Sequence, residues 1–397
     1  MKIVTGVRRC GKSYLLFQLF RDHLLESGIK DDHIISIALD DYGNRQLLDP
    51  DELYRYVKGR IVDDEDHYIL LDEIQLVNNF ESVVNGFLHI PNADVYVTGS
   101  NSKFLSSDVV TEFRGRGDEI RIFPLNFSEF YSAYGGDFND AWLMFCNYGG
   151  MPLCLSMQTQ ADKAKYLTNL FEATYLADII NRNKLRGNVE INELTDILAS
   201  SIGSLTNPLK LSNTFASTKS VKLSANTISA YLGYLQDAFL IEKALRYDIK
   251  GKKYINTPAK YYFVDMGLRN ARLAFRQQEY THIMENVIYN ELRSRGYSVD
   301  VGIVETVSKE SDAWVRKPLE VDFVVNLGNR RYYIQSAYDI PSEEKMQQEQ
   351  ASLLSINDAF RKIVIVNRPI LSGYNEQGIL MLSLSDFLLD PEKAIDL

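Results

Sequence analysis

Along the first 130 residues, short apolar runs alternate with stretches whose apolar residues recur every three or four positions, the pattern of a parallel sheet covered by helices. KIVT at 2–5 predicts a first strand. Leu15, Leu16, Leu19, Phe20 and Leu24 follow at helical spacing until Gly28 ends the segment. HIISIAL at 33–39, YILL at 68–71, VYVT at 95–98 and residues 120–123 predict four further strands, so the first domain reads as a small five-stranded α/β fold. Residues 131–190 are rich in Tyr, Leu and Ala, are broken by YGGMP at 148–152 and continue in the helical pattern LFEATYLADIINRN, which predicts an all-helical lid or connector.

Between 191 and 275 the pattern changes to helices that end in SANTI, where Ser224 or Asn226 can cap a helix running to about Leu240. LIEKALRYD and KKYIN then flank a Lys-Gly-Lys turn, and helices followed by such a hairpin spell a winged helix-turn-helix. The segment 276–397 returns to α/β, with a helix at 283–295 and strands EVDFVV, RYYIQSAY and KIVIVN. Four domains are therefore expected: 1–130, 131–190, 191–275 and 276–397.

Composition fits this division, since 397 residues at ~100–200 per domain allow two to four cores. Hydrophobic residues at 45%, charged residues at 24% and only 10 prolines describe a globular chain and exclude a disordered or fibrous one. Cys10, Cys146 and Cys154 are too few and too scattered for a disulfide framework or a zinc knuckle, so redox and structural-zinc roles drop out. MKIVTGVRRC has no apolar signal core and the apolar runs are far shorter than a membrane span, so a cytoplasmic protein without membrane contact is expected. A net charge of −10 argues against a chain that coats nucleic acid all over. That average hides residues 181–276, which hold 15 Lys or Arg against 7 Asp or Glu, a local +8. A basic winged helix of this kind is the footprint of a duplex binder, with Asn226, Thr227 and Ser229 on the capped helix and Lys250, Lys252 and Lys253 on the wing; a protein-interaction module is the alternative.

The sharpest chemical signal is Gly6-Val-Arg-Arg-Cys-Gly11-Lys12-Ser13, a GxxxxGK[ST] motif between a strand and a helix. Its glycines let successive backbone N–H groups face phosphate oxygens, Lys12 is expected to reach the β- and γ-phosphates, and the Ser13 hydroxyl is expected to ligate Mg²⁺. YILLDE ends a buried strand in Asp72 and Glu73. Asp72 is expected to hold Mg²⁺ through water, which leaves Glu73 to polarise the attacking water. Ser100 or Asn101 after the fourth strand is the expected γ-phosphate sensor, against the alternative of a polar turn. Arg114 or Arg116 is the expected arginine finger, in cis or from a neighbouring subunit, against the alternative of a surface ion pair.

With these residues in place the chain resembles the prokaryotic AAA-type ATPases whose C-terminal domain, of obscure function, is related to restriction-endonuclease-like nucleases. The resemblance rests on GVRRCGKS with its paired Arg8 and Arg9, YILLDEIQ, VYVTGSNSKFLS, RGRGDEIRIFPLNFSEFY, the YGGMP break, and EVDFVV with YYIQSAY, and it covers nearly the whole chain. It implies an AAA-like P-loop core, a helical connector, a winged helix and a small restriction-endonuclease-like α/β domain. It also implies that Gly6, Arg8, Arg9, Gly11, Lys12 and Ser13 bind ATP, that Asp72 and Glu73 are the acidic pair, and that Arg116 is the finger before Arg114. Met1 stands almost inside the first strand, so adenine contacts that a preceding stretch supplies in the family are expected to be missing. In the C-terminal domain the resemblance places Glu285 and Asp322 at two metal-ligand positions, with Glu291 and Glu320 as solvated neighbours. The third element reads Tyr333-Ile-Gln335-Ser-Ala337, where an active nuclease carries an acid and a lysine, so cleavage is expected to be lost or strongly reduced.

The function these features imply is a Mg²⁺-dependent ATPase coupling nucleotide state to a C-terminal module that binds duplex DNA or a protein partner. The alternative is a nucleotide-gated scaffold that binds a protein with negligible hydrolysis. An oligomer is compatible with either.

Overall fold

In the computed structural model, residues 1–99, 117–185, 189–218, 223–310 and 313–390 are described. The chain forms two compact units, Met1–Pro124 with Asp237–Phe239, and Leu125–Gln236 with Leu240–Leu397.

The first unit is built on five parallel strands: β1 (Lys2–Thr5), β2 (Ile34–Ala38), β3 (His67–Asp72), β4 (Ala93–Thr98) and β5 (Asp118–Arg121), in the order β2-β3-β4-β1-β5. The run Ile69-Leu70-Leu71 shows why an unbroken apolar stretch is a strand here. Ile69 and Leu71 pack with Ile35, Ile37, Val95, Val97, Leu53 and Phe87 on one face, while Leu70 packs with Leu16, Leu24 and Ile34 on the other. The expected five-stranded sheet is present, with its last strand two residues earlier than the apolar signal at 120–123. β5 lies at the sheet edge and is largely exposed, so its burial pattern carries little apolar information. Between β1 and β2 the helix runs in three consecutive pieces, Lys12–Tyr14, the π-helical Leu15–Phe20 and Arg21–Glu26, and Gly28 at φ 92° follows its end.

The second unit is a mixed sheet of eight strands wrapped by helices. Its strands are β6 (Ile241–Asp248), β7 (Lys253–Phe263), β8 (Ser298–Glu310), β9 (Ala313–Leu327), β10 (Arg330–Ala337), β11 (Arg361–Val366), β12 (Gly373–Tyr374) and β13 (Leu380–Ser383), in the order β12-β13-β11-β10-β9-β8-β6-β7. Helices make up most of 127–182, with breaks at 135–137, 149–151 and 156–159. Three more, Val189–Ser200, Pro208–Thr218 and Ala225–Asp237, precede the hairpin β6–β7, and Ser224 Oγ accepts from the Thr227 N–H to cap the last of them. The hairpin does not stand apart as a free wing. β6 pairs in parallel with β8, which binds the hairpin into the sheet of the C-terminal segment. The helix expected at 283–295 is Tyr280–Ser294. Among the described residues no helix is long and apolar enough to cross a membrane.

Candidate functional site

β1 ends at Thr5, and the chain turns at Gly6, whose φ of 139° brings the Ile122 carbonyl oxygen within 2.1 Å of where a Cβ would stand. No side chain fits there. Gly11, at φ 109°, has open space instead, with nothing within 4 Å of its missing Cβ. Together with Arg9 at φ 64°, these left-handed residues curl the backbone into a concave nest directly ahead of the helix, the geometry in which N–H groups converge on an anion. Lys12 is buried across the loop, its Nζ donating to Gly6 O at 2.9 Å and Val7 O at 3.0 Å. Ser13, Arg8 and Arg9 are exposed, and burial pushes the Cys10 thiol up, leaving it a packing residue whose Sγ lies on Ile122 O.

The carboxyl end of β3 lies in the same sheet. Asp72 is 3% exposed and accepts from the Thr98 hydroxyl at the end of β4, and the same hydroxyl accepts from the Glu73 N–H at 3.1 Å. Glu73 itself takes φ 54°, an uncommon conformation for a residue with a Cβ, and its carboxylate accepts from the Gln75 amide. Burial raises the Glu73 pKa, opposed by the Gln75 hydrogen bond and the charges of Lys12 and Arg8. A carboxyl shifted upward by burial is better suited to take a proton than an exposed one. The oxygen donors present, the Ser13 hydroxyl and the Asp72 carboxylate, fit a hard cation such as Mg²⁺, and the open cradle at Gly11 fits a phosphate.

A second cluster of charge lies in the other unit. Lys260 on β7 is 2% exposed, and its Nζ contacts Glu285 Oε1 at 2.7 Å and Glu320 Oε1 at 2.6 Å. Tyr262 donates to the same Glu285 oxygen at 2.6 Å. Asp322 is buried beside them, accepts from the Ser336 N–H at 2.8 Å, and is held well above the usual carboxylate range by burial and by the Glu285 charge. Glu285, by contrast, stays ionised against its burial because Lys260, His282 and Tyr262 all favour the carboxylate.

Residues 1–131 match the model of the AAA domain family, and residues 139–279 match a domain of unknown function, DUF8612. An uncharacterized protein of Haemophilus influenzae is 34% identical over 98% of this chain and 94% of its own length. The uncharacterized protein MJ1544 of Methanocaldococcus jannaschii is 30% identical over 97% of this chain and 85% of its own. The chain belongs to their family. Its first unit is an AAA-type P-loop domain. Among solved structures, the Aeropyrum pernix ORC1 protein in complex with DNA aligns at TM-score 0.31 and 10% identity over 68% of this chain and 85% of that one. Protein VC1899 from Vibrio cholerae aligns at 0.21 and 12% over 98% and 95%. Scores this low say nothing about the architecture of this family.

Within the first unit the structure puts Gly6, Gly11, Lys12 and Ser13 in one loop, and Asp72 and Glu73 at the end of a strand in the same sheet. Ser100, Asn101, Arg114 and Arg116 lie outside the described residues. Thr98, which anchors Asp72 and Glu73, is a residue that sequence reasoning does not single out; its sequence signal is a hydroxyl in the last position of an apolar strand. Glu291 is no solvated neighbour. It is 4% exposed and pairs with Arg295 at 2.8 Å, because its helix turns that face into the core. Glu320 is half-buried and bound to Lys260.

Proposed function

We propose that the protein binds ATP with Mg²⁺ and hydrolyses it, using nucleotide state to control a C-terminal module that engages duplex DNA or a protein. The observation that carries this reading is the Thr98 hydroxyl, which fixes the buried Asp72 carboxylate and the Glu73 backbone in one arrangement beside the phosphate loop. Lys12 exchanges its two loop carbonyls for phosphate oxygens. Ser13 and, through water, Asp72 would hold Mg²⁺, which would supply charge neutralisation on the phosphates. Glu73 orients the attacking water and takes its proton, while Ser100 or Asn101 contacts the γ-phosphate and Arg116 or Arg114 offsets the charge that develops on it. Lys12→Ala should abolish nucleotide binding. Glu73→Gln should retain binding, followed by titration with a fluorescent nucleotide, and stop phosphate release; parental turnover in this variant would remove Glu73 from the mechanism.

The domain reading proposed for the remainder is a connector over 131–190, a winged helix over 191–275 and a nuclease-like fold over 276–397 that no longer cleaves. Loss of cleavage is supported by Ala337, which is buried and has no group to move a proton, and by the Lys260 ammonium, which supplies the positive charge between Glu285 and Glu320. A second reading, a nucleotide-gated scaffold that binds a protein with negligible hydrolysis, is favoured by where the basic residues go. Lys260, Arg269 and Arg272 of the basic stretch point inward: Arg269 is fully buried against the Ala199 and Gln277 carbonyls, and Arg272 pairs with Asp196. Stimulation of ATP turnover by duplex DNA selects the first reading; turnover at background with and without DNA selects the second.

A further inference from the structure

Across the sheet from the phosphate loop, at the start of β3, lie two histidines that nothing in the nucleotide chemistry uses. His33, immediately before β2, and His67, the first residue of β3, are both buried, with their rings stacked at a centroid distance of 4.4 Å. Among the described residues, His33, Asp63 and His67 each offer one ligand atom within 4.8 Å of the other two.

The hydrogen bonds around them decide which atoms are offered. His67 Nδ1 lies 2.7 Å from the Glu65 carbonyl oxygen, so that nitrogen carries the proton and donates, leaving the lone pair on Nε2. His33 Nδ1 faces the Glu65 carboxylate at 3.7 Å, and His33 Nε2 faces Asp63 Oδ2 at 3.2 Å. Asp63 Oδ1 is engaged by the Glu65 N–H at 2.9 Å, which turns Oδ2 toward the histidines. The Glu65 carbonyl is thus the outer support that orients His67 as an imidazole ligand, while the Glu65 carboxylate near His33 Nδ1 is itself held by Lys30 Nζ at 2.9 Å. The Val62 N–H, 3.3 Å from His67 Nε2, is the donor an ion would displace. Asp32 Oδ1, 3.8 Å from His33 Nε2, stands close enough to supply a fourth ligand.

We propose that His33, Asp63 and His67 bind a divalent transition metal, Zn²⁺ before the others, through two imidazole nitrogens and one carboxylate oxygen. Two nitrogens and an oxygen suit Zn²⁺ and disfavour Mg²⁺ and Ca²⁺, which take oxygen ligands. Tetrahedral bonds of about 2.0–2.1 Å set ligand atoms about 3.3 Å apart, so the group needs only to contract, with Asp63, whose side chain is 42% exposed in the loop before β3, moving inward. The expectation that structural zinc drops out rested on the cysteines, and this group contains none.

The test uses the full chain, stripped with EDTA and titrated with ZnSO₄ by calorimetry, together with Co²⁺ followed by its visible absorption. One tight equivalent of Zn²⁺, tetrahedral Co²⁺ bands and a rise in melting temperature are expected. Asp63→Ala should weaken Zn²⁺ at least ~10-fold and abolish the Co²⁺ bands. Lys12→Ala, which disables the phosphate loop, should leave both unchanged, so failure here and failure of the nucleotide reading are distinguishable. Where circular dichroism shows Asp63→Ala misfolded, Asp63→Asn takes its place, since it keeps the shape and weakens the ligand. Equal Zn²⁺ affinity in parent and Asp63 variants, or the absence of Co²⁺ bands in the parent, overturns the proposal.

Discussion

Replacing Thr98 by valine would keep the volume at the end of β4 and remove one oxygen, the oxygen that donates to Asp72 and accepts from the Glu73 N–H. Both partners would lose a hydrogen bond at a buried position, a cost of about 1–3 kcal/mol that urea denaturation can read. Nucleotide affinity should stay within a few-fold, because the loop and Lys12 are untouched, while turnover falls; Thr98→Ser should restore most of it. Gly6, Gly11, Lys12, Ser13, Asp72 and Glu73 were legible in the sequence because each sits in a contiguous motif beside its own strand. Thr98 was not, since its partner is 26 positions away. Lys260 was hidden for the same reason: its partners Glu285 and Glu320 lie on a helix and a strand that only the fold brings together.

At the scale of elements, the break at 148–152 turned out to be a meeting point. Gly149 takes φ 68°, and a Cβ on Gly150 would stand 2.0 Å from the Leu125 carbonyl oxygen. Asp265, fully buried, caps the helix Met266–Arg272 through the Leu268 N–H and also accepts from the Gly150 N–H at 2.6 Å. Burial pushes its pKa from 3.8 up to about 6, against these hydrogen bonds. Its folded form therefore holds its proton more tightly than the unfolded chain does. The stability this group contributes is complete below pH 4 and is lost as pH rises to about 6, a change of about 3 kcal/mol at 1.36 kcal/mol per pH unit. Denaturation of Asp265→Asn across this window should lack that slope. The sequence marked the glycines as a break, but it could not show a carboxylate 115 positions later closing onto them.

For the whole molecule, net charge is a poor guide to surface. The local +8 of residues 181–276 includes Lys260, Arg269 and Arg272, which are engaged internally, so fewer cations face solvent than the count implies. Lys252 and Lys253, exposed at the β6–β7 turn, remain available. Duplex affinity should fall with salt by about 0.9 log units per log unit of salt for each phosphate neutralised, and Lys252→Ala/Lys253→Ala should flatten that slope by up to about two such contacts. A slope unchanged in the double variant moves any DNA contact elsewhere. Local pattern correctly predicted the hairpin carrying these lysines. Its parallel pairing with β8 was not legible, because the paired residues, such as Arg246 and Val301, are 55 positions apart and register between distant strands leaves no local signature.

β3 is six residues long, with His67 at one end and Asp72 at the other. At about 3.3 Å per residue it holds the two about 16 Å apart. The strand is thus a spacer of fixed length between two chemistries. An insertion of one residue would turn Ile69, Leu70 and Leu71 onto the wrong faces, and an insertion of two would restore the faces but carry the histidine end about 7 Å farther from the acidic pair. Core packing on both faces therefore constrains the length of β3 in steps of two residues: a change of one inverts Ile69, Leu70 and Leu71, a change of two does not.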